Sequence, residues 1–316
     1  MQKKILLYAT LLLIVGVFLF YSLLHKGHYE TKLPIDFIPY TNQPRTEVVI
    51  EGKKYPLMID LGSSSRLTLR TEILNNIQKS FLRTTKRFDI KGNEYVLPVY
   101  LLRNLNIKNM ALKNIEAIDE GNDFLAKGAV LYDASGISKD EAAQDKPGRI
   151  GRKLFTDVRA NLFLDFHRSL VFVCCHLTDR KKDGYLMTKF VWVPFELDEA
   201  TGIVVRIDTD LGVKKFLLDT GSTKSALKST VAQGVNCEEW RPGFYSYHSS
   251  KFLFGEKDFG GIDLLLVEMG SVLESIDGII GMDFLKNHTA YIDFQNKRLY
   301  LGKSEECFSS SSNIHK

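Results

Sequence analysis

The chain contains two copies of one short pattern, an apolar strand that runs into Asp-x-Gly-Ser. The second copy is Phe216-Leu217-Leu218-Asp219-Thr220-Gly221-Ser222, and the first is Leu57-Met58-Ile59-Asp60-Leu61-Gly62-Ser63. The glycine two residues after each aspartate permits a sharp turn, and nearby hydroxyls can hydrogen-bond a carboxylate. A carboxylate at the end of a buried strand is costly unless it is hydrogen-bonded or shares a proton. Both aspartates are therefore candidates for chemistry rather than for packing.

Two further features repeat downstream of each copy, in the same order. Gly278-Ile279-Ile280-Gly281 corresponds to Gly148-Arg149-Ile150-Gly151, and Ala290-Tyr291-Ile292-Asp293-Phe294 corresponds to Leu162-Phe163-Leu164-Asp165-Phe166. Matched features in one order indicate an internal duplication. The interval from the aspartate to the second glycine is 91 residues in the first half and 62 in the second, so the first half carries an insertion. The polar segment 119–147 accounts for it as a loop-rich insertion without evident chemistry.

On these motifs the chain resembles the aspartic peptidases of the pepsin and retropepsin clan, in the style of bacterial single-chain members with two retropepsin-like lobes. The second half matches throughout, with Asp219-Thr220-Gly221-Ser222 and Ile279-Ile280-Gly281, and the resemblance spans about residues 32–303. It implies a mostly β, bilobal acid-protease fold of two related β-barrel-like lobes. The lobes are expected at residues 31–178 and 179–303, followed by a polar tail at 304–316.

The resemblance also implies an activity, that of an aspartic-type endopeptidase, a hydrolase. Asp60 and Asp219 would form the catalytic dyad, and Gly62, Ser63, Gly221 and Ser222 would line the substrate-binding turns. Two carboxylates so close share one proton, one activating a water and the other protonating the peptide carbonyl. The expected partner is a peptide or protein substrate, acted on by a monomer without metal or cofactor. A flap hairpin is expected to close over it, with Lys91-Gly92-Asn93 as the candidate tip.

Two departures from the family pattern lie in the first half. Leu61 stands where the family has a threonine that donates a hydrogen bond across the lobes, and Arg149 begins an otherwise apolar strand. A cation there would favour the ionised form of Asp60 and leave Asp219 as the proton holder. The alternative function is therefore a catalytically weakened or inactive relative that binds peptides or serves as a scaffold. A homodimer that uses only Asp219 is a third arrangement, which the complete second copy makes unnecessary.

Residues 1–30 form a predicted membrane anchor with its flank. The run from Ile5 to Leu24 is apolar and uncharged for 20 residues, long enough to span a bilayer as a helix. Lys3-Lys4 before it favours a cytoplasmic N-terminus, although Lys26 follows. We expect a single-pass membrane protein whose catalytic domain is extracytoplasmic, periplasmic in a bacterium. A cleaved signal peptide is the alternative, but the run lacks an Ala-x-Ala cleavage site.

Other function classes find little support. Net charge is only +4 and no phosphate-binding loop is present, so we expect no nucleic-acid partner. The sequence also predicts two local elements: a hairpin that turns at Glu51-Gly52-Lys53-Lys54, and a short helix within residues 71–82, where apolar residues recur at helical spacing.

Overall fold

The computed structural model describes residues 30–39, 41–89, 92–121, 148–174, 177–199 and 201–308 of the 316-residue chain. The predicted anchor at residues 5–24, most of the 119–147 insertion and residues 309–316 of the predicted tail lie outside this description. Within it, none of the helices has the length and apolar character needed to cross a bilayer.

The described part of the first half consists mainly of strands. They are β1 (Thr31–Pro34), β2 (Asp36–Phe37), β3 (Pro44–Ile50), β4 (Lys53–Asp60), β5 (Leu67–Leu69), β6 (Lys79–Phe88), β7 (Glu94–Ile107), β8 (Met110–Asp119), β9 (Gly148–Gly151), β10 (Asn161–Asp165) and β11 (Leu170–Cys174), with helices α1 (Thr71–Asn75) and α2 (Arg152–Asp157).

The second half repeats the plan after two 3₁₀ segments, Leu177–Asp183 and Met187–Lys189. Its elements are β12 (Val191–Asp198), β13 (Gly202–Thr209), β14 (Gly212–Leu218), β15 (Ala226–Lys228), β16 (Glu238–Arg241), β17 (Phe244–Ser249), β18 (Phe252–Phe254), β19 (Lys257–Asp258), β20 (Ile262–Val267), the 3₁₀ turn Ser271–Leu273, β21 (Gly278–Ile280), α3 (Met282–Leu285), β22 (His288–Asp293) and β23 (Arg298–Lys303).

The first half builds an eight-stranded sheet in the order β2-β3-β4-β9-β5-β8-β7-β6. The predicted hairpin at residues 51–54 is confirmed: β3 and β4 pair in antiparallel register around Glu51 and Gly52. Both turn residues have positive φ, 48° and 81°, the conformation of the tight two-residue turns that match strand twist. This hairpin fixes the register of β4, the strand that ends in Asp60.

A second sheet connects the two halves. It runs β1-β11-β10-β22-β23-β12 and continues through the strands of the second half. At its centre the two duplicated Asp-Phe strands, β10 and β22, lie side by side and antiparallel, with Leu162 opposite Ile292 and Leu164 opposite Ala290. Strands equivalent by sequence therefore meet across a local two-fold relation, as an internal duplication requires.

The predicted helix at residues 71–82 is wrong in its second half. The helix ends at Asn75, and Lys79 already begins β6, which pairs with β7 along its whole length. Phe81 and Leu82 gave the region its helical spacing, but they are exposed on the hairpin instead of packed in the core. Long-range pairing has overridden the local pattern here.

Candidate active site

Each aspartate lies at the end of a strand buried between parallel and antiparallel neighbours. In the first half β4 runs parallel to β9, with Asp60 opposite Gly151. In the second half β14 runs parallel to β21, and the Asp219 N–H donates to the Ile280 carbonyl at 3.0 Å. The residues before each aspartate, Ile59 and Leu218, are at most 1% exposed, so the apolar run anchors each carboxyl in the interior.

The two Asp-Gly turns face each other closely. A methyl group on Gly62 would overlap the Asp219 carboxyl, and one on Gly221 would lie 2.6 Å from Cγ of Asp60. Each glycine therefore makes room for the aspartate of the other half, which no residue with a side chain could do. The structure thus brings Asp60 and Asp219 together, with Gly62 and Gly221 packed crosswise against them.

Backbone amides, rather than the serine hydroxyls, hold the carboxylates. The Ser63 N–H donates to Oδ1 of Asp60 at 3.0 Å, and the Gly221 N–H donates to Oδ1 of Asp219 at 2.7 Å. The Ser63 hydroxyl bonds to the Ser65 hydroxyl at 2.7 Å, and the Ser222 hydroxyl donates to the Lys224 carbonyl at 2.8 Å. The expected hydroxyl-to-carboxylate bonds are therefore replaced by bonds that brace the turns themselves.

One threonine carries the cross-connection between the turns. The Thr220 hydroxyl donates to the Ile59 carbonyl at 2.7 Å and accepts from the Leu61 N–H at 2.9 Å. Leu61 is fully buried and has no hydroxyl to return the contact. The interaction is one-sided, as the Asp-Leu-Gly sequence predicts.

A buried ion cluster lies beside Asp60. Nη1 of Arg149 is 3.0 Å from Oδ2 of Asp60, and the other terminal nitrogen of Arg149 contacts the Glu120 carboxylate. Glu120 is only 4% exposed, and its Oε2 has no hydrogen-bond partner among the described residues. The predicted approach of a cation to Asp60 is confirmed, and a second carboxylate, in a segment that looked free of chemistry, shares that cation.

The surroundings of Asp219 are electrostatically different. Burial, the charge of Asp60 and a hydrogen bond between the two carboxyls raise the pKa of Asp219 to about 7, against the lowering effects of the Gly221 N–H and Arg149. Two carboxyls in hydrogen-bonding reach cannot both ionise cheaply, so one proton stays on the pair. At mildly acidic pH this places the proton on Asp219 and the charge next to Arg149.

Two more residues brace the site, and no local sequence pattern predicts either of them. Arg152 is 3% exposed and donates to the carbonyls of Gly62 and Asp198, each at 3.0 Å, and to that of Glu199, so it ties the Asp60 turn to the second half. Gln43, also buried, donates to the Gly221 carbonyl. Both contacts span many residues along the chain, which a motif search cannot detect.

The β6–β7 hairpin extends from the first half across to the second. A methyl group on Gly92 would lie 3.6 Å from Cα of Gly270, and Arg87 near the end of β6 donates to the Ser64 hydroxyl at 2.5 Å. The hairpin predicted as a flap therefore exists and contacts the Asp60 turn as well as the opposite half. Gly92 and Asn93 of the candidate tip lie at the turn, and Lys91 lies outside the described residues.

No protein-family model matches the chain, and no curated protein sequence does. Solved structures do match over most of its length. Basic 7S globulin from soybean is 10% identical, with a TM-score of 0.56 over 90% of this chain and 100% of that one. Conglutin gamma, a basic 7S globulin from lupine seeds, is 10% identical, with a TM-score of 0.55 over 90% and 99%.

A third similar structure is the aspartic proteinase from Irpex lacteus, 12% identical, with a TM-score of 0.51 over 89% of this chain and 99% of that one. Similarity at identities this low supports a conclusion about the fold alone. The chain is mostly β and has the bilobal, pepsin-like fold of an acid protease, as the sequence predicts.

Proposed function

We propose that the chain is an aspartic endopeptidase that hydrolyses peptide bonds with the Asp60/Asp219 dyad and an activated water. The observation that carries the proposal is the packing of the two carboxyls, each at the end of an equivalent strand and against the glycine of the other turn. Two carboxyls that share a proton supply a base and an acid at one place. The chain would combine both retropepsin-like lobes in one polypeptide and act as a monomer.

In this mechanism the two carboxyls have separate roles. Asp60, ionised beside Arg149, takes a proton from a water whose oxygen attacks the peptide carbonyl carbon, while Asp219 gives its proton to the carbonyl oxygen. The tetrahedral diol then collapses: the C–N bond breaks, a proton passes to the leaving nitrogen, and the dyad returns to its singly protonated state. The turns Gly62-Ser63 and Gly221-Ser222 would hold the substrate backbone on either side.

The proposed location rests on the sequence. We propose that residues 5–24 anchor the protein in a membrane and leave the two lobes on the extracytoplasmic side, since the apolar run is long enough to span and follows a lysine pair. The orientation is tested by fusing to the C-terminus a reporter that is active on only one side of the membrane.

The activity is tested with the full-length protein in detergent and a peptide library at mildly acidic pH. We expect cleavage that is blocked by a statine-type mimic of the tetrahedral diol and unaffected by metal chelators. Loss of cleavage on chelation, or cleavage that the mimic does not slow, would contradict the proposal.

A peptide-binding or scaffold role is the second candidate, and specific observations favour it. Leu61 leaves the cross-connection one-sided, Arg149 forms an ion pair with Asp60, and two of the similar structures are named as globulins. Tight binding of the statine peptide by a folded protein that cleaves no library member would favour this role over the first.

A further inference from the structure

A cavity of about 450 Å³ adjoins the Asp60 turn. Its walls come from the turn itself at Ser64, from the flap strand β6 at Arg83 and Arg87, and from α2 at Lys153. The cavity therefore lies between the Asp60 turn and the flap hairpin that contacts it at Ser64. On the proposed peptidase function, on which this inference rests, it can receive a side chain of the bound peptide.

The cations of this cavity differ in how they are neutralised. Arg66 contacts both Asp157 and Glu116, and Arg83 bonds to Glu116 at 2.8 Å. Lys153 pairs with Asp157 at 2.9 Å. These cations already have carboxylate partners and offer little to a ligand.

Arg152 also lines the cavity without an ion pair, but it is buried and donates to three backbone carbonyls. Arg87 is the cation whose donors stay available. Among the described residues, Arg87 donates from Nη1 to the neutral hydroxyl of Ser64 and forms no ion pair with a carboxylate. A guanidinium has five N–H donors, so most of its donor capacity is unused. Burial, followed by the nearby charges of Arg149 and Arg83, lowers the pKa of Arg87, which means that its own cation is poorly compensated where it lies.

We propose that Arg87 is the anchor of an anionic subsite, so that the enzyme prefers peptides with aspartate or glutamate at a position near the scissile bond. A carboxylate suits the fork of a guanidinium and can form two parallel charge-assisted hydrogen bonds. The Ser64 hydroxyl, which accepts a hydrogen bond from Arg87, holds the guanidinium in place without neutralising its charge. Side chains alternate along an extended peptide, so the preference should affect one position and not its neighbours.

The test compares matched peptides that differ only by Glu or Gln at one position, scanned on both sides of the cleaved bond. It uses the full-length wild-type protein at pH 6, where a glutamate side chain is ionised. We expect kcat/KM for one Glu peptide to exceed that of its Gln partner by about 10-fold, the effect of about 1.4 kcal/mol. This comparison requires no variant and therefore no assumption about folding.

Variants then assign the preference to its residue. Arg87→Gln should reduce the Glu-to-Gln ratio to about 1. Arg87→Glu should favour a third matched peptide, which has Lys at that position, over the Glu peptide. The matched control is Lys86→Gln, because Lys86 is the neighbouring cation on the same strand but is exposed and pairs with Glu94 at 2.9 Å. This control should keep the wild-type ratio.

The outcomes separate the inference from the proposed function. Cleavage of Glu and Gln peptides at equal rates at every position, or a preference that survives Arg87→Gln, overturns the anionic subsite and leaves the peptidase intact. A folded protein that cleaves no peptide of either series overturns the peptidase, and the subsite with it.

Discussion

At the scale of single residues, the dyad is asymmetric because, among the described residues, a cation forms an ion pair with Asp60 and none does with Asp219. Arg149 contacts Asp60 and Glu120 together, and the proton of the pair is left to Asp219. Glu120 also neutralises part of the Arg149 charge, so Asp60 is not the sole counter-ion of this arginine. The cluster thereby distinguishes two carboxyls that the duplicated sequence makes equivalent.

The raised pKa of Asp219 predicts where activity is lost on the alkaline side. A general acid must be protonated, and a carboxyl with a pKa of about 7 is protonated below that pH and ionised above it. Activity should therefore persist to near pH 7 and fall as pH rises through it. A profile of kcat/KM against pH checks this, and an alkaline limb near pH 4–5, as for an ordinary carboxyl, would contradict it.

Arg149 should influence the alkaline side of the same profile. Its charge lowers the pKa of Asp219, so Arg149→Met should leave that carboxyl protonated to a higher pH and move the alkaline limb of kcat/KM up. Arg206→Met, which removes an exposed cation paired with Glu196, is the control and should leave the limb in place. An unmoved alkaline limb in Arg149→Met rules out this role.

The residues of the site differ in how far the sequence predicts them. Asp60, Asp219 and Arg149 follow from the repeated motif, because strand and turn fix their positions locally. Glu120 and Arg87 do not, since each reaches the site through tertiary contacts that no local pattern encodes. Their positions follow from the contacts of Glu120 with Arg149 and of Arg87 with Ser64.

At the scale of elements, one hydroxyl connects the two Asp turns. Thr220→Val keeps the shape but removes the hydrogen bonds of its hydroxyl to the buried Leu61 N–H and to the Ile59 carbonyl. We expect a loss of about 1–3 kcal/mol in the free energy of unfolding, together with a fall in kcat as the carboxyls lose their mutual alignment.

The control for this prediction is Thr209→Val. The Thr209 hydroxyl also donates to a carbonyl, that of Gly212 at 2.9 Å, and accepts a backbone N–H, that of Leu211 at 3.1 Å, but within one hairpin of the second half. Thr209→Val should lower the free energy of unfolding, measured by denaturant titration, by a similar amount and leave kcat nearly unchanged. Equal effects of the two variants on kcat would mean that Thr220 serves stability alone.

Elements defined by local chemistry were predictable and those defined by pairing were not. The Glu51-Gly52 turn between β3 and β4 is confirmed because glycine and positive φ specify it. The helix expected through residue 82 stops at Asn75, because β7 offers Lys79–Phe88 a continuous hydrogen-bonding partner. Apolar spacing alone cannot distinguish these outcomes when the apolar side chains end up exposed.

At the scale of the whole molecule, the two halves form one unit through shared strands and buried contacts. The duplicated strands β10 and β22 pair directly, and Arg152 carries hydrogen bonds from the first half to carbonyls of the second. The site depends on this union, because each carboxyl is packed against the turn of the other half. The sequence predicts the union through its repeated motifs, although the order of the strands in the connecting sheet required the structure.

The central claim is that Asp60 and Asp219 act as one unit, and three variants test it most directly. Asp60→Asn, Asp219→Asn and the double variant keep the side-chain shape but remove the shared proton and charge. We expect each single variant to lose kcat/KM by at least about 10³-fold and the double variant to be no worse than either, as residues that act together require. If Asp60→Asn keeps most of its activity, or if the two losses multiply in the double variant, the single-chain dyad is wrong.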